Sequence, residues 1–180
     1  MRRLGSVDGR SWDKMQWSDA ERNVVMANAK VDVVGQDDIP VVVDLYNRIY
    51  RPNHDVQFFR RRFLGRYNVL MLIATLDEMP VGFYIGFELK PTVFFAWLYG
   101  VLPEFRRQGI ASQLMDAGHA WALAHQYPTI RFECHNQHRP MLQLAIGREY
   151  DILGIRWDPD RGENLVIFEK ILSHESGIGE

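Results

Sequence analysis

The chain has 180 residues, 47% of them hydrophobic and 24% charged, and a formal net charge of -2. That is enough chain for one domain with an ordinary core. The charge gives no electrostatic ground for a nucleic-acid partner, and no apolar run reaches the length of a membrane span. A single cysteine, Cys134, excludes an internal disulfide and fits a reducing compartment, so the expected location is cytoplasmic.

Residues 1–29 read as an N-terminal arm outside the core. Met1-Arg2-Arg3 is basic but has no apolar stretch after it, so it does not read as a secretory signal. Ser18-x-x-Glu21 is a capping-box pattern for a short helix. Trp12, Met15 and Trp17 are apolar enough to pack on this domain or on a second subunit. Residues 30–172 are expected to form the domain, and 173–180 a flexible tail.

Val31 to Val34 is the first predicted strand. Asp37 or Asp38 caps a helix with Pro40 in its first turn, and Ile39, Val42, Tyr46, Ile49 and Tyr50 share one face. A second helix is expected over His54 to Arg66, with Val56, Phe59 and Phe63 inward and Arg60, Arg61, Arg62 and Arg66 toward water. Val69 to Leu76, Val81 to Leu89 and Thr92 to Val101 follow as an antiparallel meander with short links. Gly82 and Gly86 predict a bulge or a close backbone approach. By alternation, Phe95, Trp97 and Tyr99 share a strand face.

The next helix starts near Ile110 and ends at Tyr127-Pro128, with Ile110, Leu114, Ala117 and Trp121 as its buried face. Thr129 to His135 is a strand, and the crossover that precedes it makes it parallel to Thr92–Val101. A short helix from Pro140 to about Arg148 turns Met141, Leu144 and Ala145 inward. Tyr150 to Trp157 and Leu165 to Leu172 close the chain as two strands joined by a polar turn, residues 158–162. The predicted class is α/β (α+β): a mixed, mostly antiparallel sheet of about seven strands, a central parallel pair, and flanking helices.

The chemistry concentrates where Thr92–Val101 meets the helix. Val101-Leu102-Pro103-Glu104-Phe105-Arg106-Arg107-Gln108-Gly109-Ile110-Ala111 ends a strand and opens a helix. The free N–H groups of a first helical turn converge on one spot, and the helix dipole favours negative charge there. Gly109 lets backbone approach an anion, Ala111 is small, and Arg106 and Arg107 add positive charge. These features predict a pyrophosphate-binding turn.

Arg106-x-x-Gly109-x-Ala111, preceded by Val101-x-Pro103, resembles the acyl-CoA motif of the GCN5-related N-acetyltransferase (GNAT) superfamily. The element order over about residues 31–172 is similar too. The resemblance implies an acetyl-CoA-dependent N-acetyltransferase that needs no metal and acts by direct attack of an amine on the thioester. The expected acceptor is a small-molecule primary amine. A protein or peptide acceptor and a non-catalytic CoA-binding module are the alternatives. A homodimer is among the states the family allows.

By the same resemblance, the amides of Gln108, Gly109, Ile110, Ala111 and Ser112 would hold the CoA pyrophosphate. Tyr99, Gly100 and Val101 would pair with the pantetheine arm as an added strand. Asn136 and His138 would lie near the cofactor. An N–H near Tyr99 would polarise the thioester carbonyl, and Tyr46, Tyr50 and Phe59 would border the acceptor. Two departures stand out. The strand Phe94-Phe95-Ala96-Trp97-Leu98-Tyr99 carries no carboxylate, so Glu88, Glu133 and His135 are the candidate bases. The family's helical Tyr acid is replaced by Ala145 or Gln143, depending on alignment, which leaves Tyr99 as the stand-in acid. Cys134-His135-x-x-His138 lacks a fourth ligand for zinc, and a buried thiol is expected instead.

Overall fold

The computed structural model describes residues 26–172. The expected arm helix at Ser18–Glu21, the packing of Trp12, Met15 and Trp17, and the tail 173–180 lie outside the described residues. Seven strands, β1 (Lys30–Val34), β2 (Leu70–Leu76), β3 (Met79–Lys90), β4 (Val93–Val101), β5 (Thr129–His135), β6 (Asp151–Asp158) and β7 (Glu163–Ile171), form one sheet in the order β1-β2-β3-β4-β5-β7-β6. Four helices, α1 (Ile39–Ile49), α2 (Val56–Phe63), α3 (Ile110–Ala124) and α4 (Arg139–Gly147), cover its two faces. Every strand pair is antiparallel except β4–β5. No helix among the described residues is long and apolar enough to cross a membrane.

The middle of the sheet is buried on both sides, and β2 shows how its sequence achieves that. Leu70, Leu72 and Ala74 join the core beneath α3, with Phe94, Leu114 and Phe132. Met71 and Ile73 point the other way, into a second core with Ile39, Val42, Phe59 and Phe83 beneath α1 and α2. An apolar run with no polar alternation is what such a doubly covered strand requires. Burying each large side chain contributes roughly 1.5–3 kcal/mol.

The two-residue turn Asp77-Glu78 joins β2 to β3 with both residues at positive φ, 47° and 63°. Two such residues are the signature of a tight hairpin whose twist matches its strands. Met79 and Pro80, expected in the turn, therefore begin β3. Asp55 caps α2 through a 2.7 Å bond from the Phe58 N–H, so the helix starts later than His54. It stops at Phe63 because Gly65 turns the chain at φ +69°. The face of α3 is centred on Leu114, Gly118 and Ala122 with Met115, while Ala117 and Trp121 are only half-buried.

One irregularity shapes the rest of the molecule. In β4 the register jumps from Leu98 (opposite Ile85) to Ala96 (opposite Gly86), so Trp97 is an extra, bulged residue. A bulge shifts the parity of a strand and bends it. Phe95 and Trp97 therefore share the α2 side, against Phe87 at 5.7 and 6.0 Å between ring centres. Tyr99 crosses to the other side, against Tyr84 and Phe132, so the face expected for all three residues is broken. Gly86 makes room for the bend. A Cβ there would stand 2.4 Å from the Phe94 ring and 2.9 Å from the Phe95 carbonyl oxygen.

Candidate active site

The parallel β4–β5 ladder runs only from Val93–Thr129 to Ala96–Phe132. β4 continues to Val101 and β5 to His135 without pairing to each other. The bulge at Trp97 sits where the two strands part. Beyond it, the gap is faced by β4 backbone with no strand partner on that side. The Tyr50 hydroxyl donates to the Tyr99 carbonyl across 2.6 Å. A strand residue's N–H and C=O point to the same side, so the Tyr99 N–H faces the gap as well.

Two cavities meet at this gap, and Tyr50, Tyr99, His138 and Met141 line both. The larger, about 580 Å³, runs along Gly100 and Val101 to the turn before α3. Arg106, Arg107, Gly109, Ile110, Ala111 and Ser112 form its far end. Gly109 is the N-cap of α3 at φ +82°, in the left-handed region, and Arg107 adopts φ +65°. Among the described residues no backbone acceptor serves the N–H groups from Gln108 to Ser112. The turn is thus an open set of donors at a positive helix end. The Arg106 Nε donates to the Val101 carbonyl at 3.0 Å, which holds its charge at the strand end.

The back of the turn is held by the segment that enters β1. Ala27 N–H donates to the Gln108 carbonyl at 3.0 Å. Gln113 donates to the Ala27 carbonyl at 2.6 Å and accepts from the Ala29 N–H at 3.0 Å. The Met26 side chain covers Gly109, and a Cβ there would come within 2.3 Å of it.

The smaller cavity, about 280 Å³, lies on the other side of the gap, walled by Tyr46, Phe95, Trp97, Phe132 and Glu133. Arg161, in the β6–β7 turn, lies at its rim and reaches the Arg51 carbonyl, 3.5 Å away, after α1.

The structure brings together most of the residues expected at the site, but not all. Gln108 and Asn136 line neither cavity. Gln108 serves through its carbonyl, and the Asn136 N–H donates to the Asn164 carbonyl at 2.8 Å. Glu88 also lies outside both cavities, where it accepts a 2.5 Å bond from the Tyr127 hydroxyl. That contact gives the geometry no place for Glu88 as a base.

Glu133 is on the cavity wall, held by Arg156 at 2.7 and 3.1 Å. His135 has a carboxylate at each ring nitrogen, Asp158 at 3.1 Å and Glu163 at 3.5 Å, which leaves neither nitrogen for an amine. The Tyr99 phenol donates to the Met141 sulfur at 2.8 Å, and burial holds it well above its ordinary range. Such a phenol is a poor proton donor to a thiolate. Burial pushes the Cys134 thiol up to about 11, so it is a core thiol rather than a nucleophile.

Sequence reasoning missed the weight of Tyr50 and His138. Burial raises Tyr50 to about 12, with Arg106 opposing, so its proton stays on the bond to Tyr99. Burial, Arg106 and His135 together lower His138, which is therefore neutral near pH 7. Its place beside Cys134 and His135 suggests a metal pattern in the sequence and hides its position at the junction.

The sequence profile of the acetyltransferase (GNAT) family matches residues 39–146, more than half the chain. No curated protein matches significantly. Among solved structures, the ribosomal-protein-S18-alanine N-acetyltransferase from Escherichia coli superposes with TM-score 0.71 at 15% identity, covering 84% of this chain and 99% of its own. Ard1 from Thermoplasma volcanium superposes with TM-score 0.69 at 18% identity, covering 81% and 99%. A GNAT family acetyltransferase from Elizabethkingia anophelis with acetyl-CoA bound gives TM-score 0.63 at 14% identity, over 81% and 99%.

Proposed function

The chain belongs to the GNAT acetyltransferase family, and from that premise we propose that it transfers the acetyl group of acetyl-CoA to the primary amine of a small molecule. The observation that carries this reading is the pair of cavities joined at the unpaired end of β4. One ends in free helix N–H groups and arginines, suited to a diphosphate. The other is small and aromatic, suited to an acceptor.

Acetyl-CoA supplies an activated acetyl thioester. The amides from Gly109 to Ser112, with Arg106 and Arg107, hold its pyrophosphate. The exposed β4 edge from Tyr99 to Val101 pairs with the pantetheine arm. The Tyr99 N–H stabilises the negative charge that develops on the carbonyl oxygen, the preorganised donor role. Tyr50 fixes that N–H by holding the carbonyl of the same residue. A reactive amine must lose a proton, and neutral His138 at the junction takes it, directly or through water; as the C–N bond forms the C–S bond breaks, and CoA leaves as a thiolate that takes up a proton from His138 or solvent. Glu133, already on the cavity wall, is the second candidate for that step. Arg161 and Arg51 meet across the outer rim, a closure that favours a small acceptor over a peptide running through the groove. We place the reaction in the cytoplasm.

The test is amine-dependent release of CoA thiol from acetyl-CoA over a panel of primary amines, with the acetylated product identified by mass. Acetyl-CoA binding without turnover of any amine would contradict the reading and favour a CoA-binding module.

A further inference from the structure

We propose that the acceptor carries an anionic group, a carboxylate, and that Arg161 is the residue that selects it. This rests on the acetyltransferase reading and names the substrate class: a free amino acid or similar amine with an apolar body.

Most charges around the smaller cavity are already paired. Glu133 is neutralised by Arg156, and Asp158 and Glu163 flank His135. Asp160, on the same turn as Arg161, is not on the cavity wall. Arg161 has no carboxylate partner among the described residues. Its hydrogen bond among the described residues is the long one to the Arg51 carbonyl, which leaves the guanidinium free to meet a carboxylate through two parallel N–H groups. The Tyr46 hydroxyl lines the same cavity, feels the Arg161 charge, and has no hydrogen-bond partner among the described residues. It is a second donor for the same anion.

The turn that carries Arg161 is itself anchored. One Asp158 oxygen accepts from the Asp160 N–H at 3.1 Å, and the other faces His135 on β5. The Gly162 N–H closes on the Asp158 carbonyl at 2.8 Å. The backbone that carries Arg161 is thus held at the rim while the Tyr99 N–H lies in the gap, and Phe95, Trp97 and Phe132 wall the same cavity. An acceptor matching this layout has an amine at one end, a carboxylate at the other and apolar bulk between. A peptide acceptor has a neutral amide where that carboxylate would be, and gains nothing from Arg161.

The experiment is calorimetric titration of N-acetyl-phenylalanine, N-acetyl-leucine and N-acetyl-methionine, and of their primary amides, into the CoA-loaded protein. The acids should bind about tenfold or more tighter than the amides, the size of a charge-assisted bidentate contact. Arg161→Gln should bring the ratio close to one without changing CoA affinity, and Arg161→Lys should keep part of it. Equal binding of acids and amides, discrimination that persists in Arg161→Gln, or no binding of any acid to CoA-loaded protein would overturn the proposal. Failure of the acetyltransferase reading would appear separately, as no CoA binding or no thiol release with any amine.

Discussion

The Tyr50 hydroxyl and the Tyr99 carbonyl oxygen lie 2.6 Å apart, and this bond spans the point where the two cavities join. It ties the end of α1 to the one stretch of β4 that has lost its β5 partner. Removing the donor in Tyr50→Phe should cost about 1 kcal/mol of stability. It should also lower kcat by about tenfold while KM for acetyl-CoA moves less, since a small misplacement of a reacting geometry is expensive. Steady-state kinetics with a good amine check this. An unchanged kcat would show that the Tyr99 N–H needs no such support.

Gln113 ties the entry to β1 onto the back of the turn before α3, where we propose the pyrophosphate binds. Gln113→Ala frees both Ala27 and Ala29 and removes two hydrogen bonds, a loss of about 1–2 kcal/mol in the order of that turn. The acetyl-CoA Kd should rise about five- to tenfold. Gln113→Glu keeps the acceptor for Ala29 but loses the donor to Ala27, so it should fall between. Calorimetry on the three proteins measures it, and equal affinities would mean the turn holds its shape alone.

His119 makes stability depend on pH. Its Nε2 lies 2.6 Å from the Tyr150 hydroxyl, and burial lowers its pKa to about 4, with Asp116 opposing. A histidine in the unfolded chain titrates near 6.5, so between these values the unfolded chain binds more protons. The contribution is fully present above about pH 6.5 and is lost as pH falls toward 4. Because the ring is partly solvated, roughly 1–2 kcal/mol is at stake. Thermal melts from pH 7.5 to 4.5 should show a steeper loss in the wild type than in His119→Gln. Parallel curves would contradict this.

The sheet, the crossover and the strand–helix turn before α3 were legible because each is written in local pattern. β2 is apolar without alternation, α3 begins just after its N-cap Gly109, and Tyr127-Pro128 follows three residues beyond its end at Ala124. The exposed edge strand β6 was legible as a strand, although Ile152, Ile155 and Trp157 end up more than half exposed. The smaller cavity was hidden because its residues meet through long-range geometry. Nothing local to Trp97 announces a bulge that sends Tyr99 to the opposite face. Nothing in residues 158–162 beyond polarity announces that Arg161 arrives beside Tyr46. Glu88 looked suitable on the strand before β4, but its partner Tyr127 lies 39 positions away at the end of the sheet remote from the gap. The Gln113 clamp reaches 84 and 86 positions back, beyond any helical or strand spacing.

The most direct measurement is calorimetric titration of acetyl-CoA into the wild type and Gly109→Glu, with circular dichroism to check that both are folded. A glutamate at φ +82° would be strained, would displace the exposed Met26 side chain, and would bring negative charge to the N–H groups we propose for the pyrophosphate. The wild type should bind in the micromolar range, and a folded variant should lose at least about a hundredfold, the cost of opposing charge and lost amide contacts. Equal binding by the two proteins would show that the cofactor does not lie at this turn and that the proposed site is wrong.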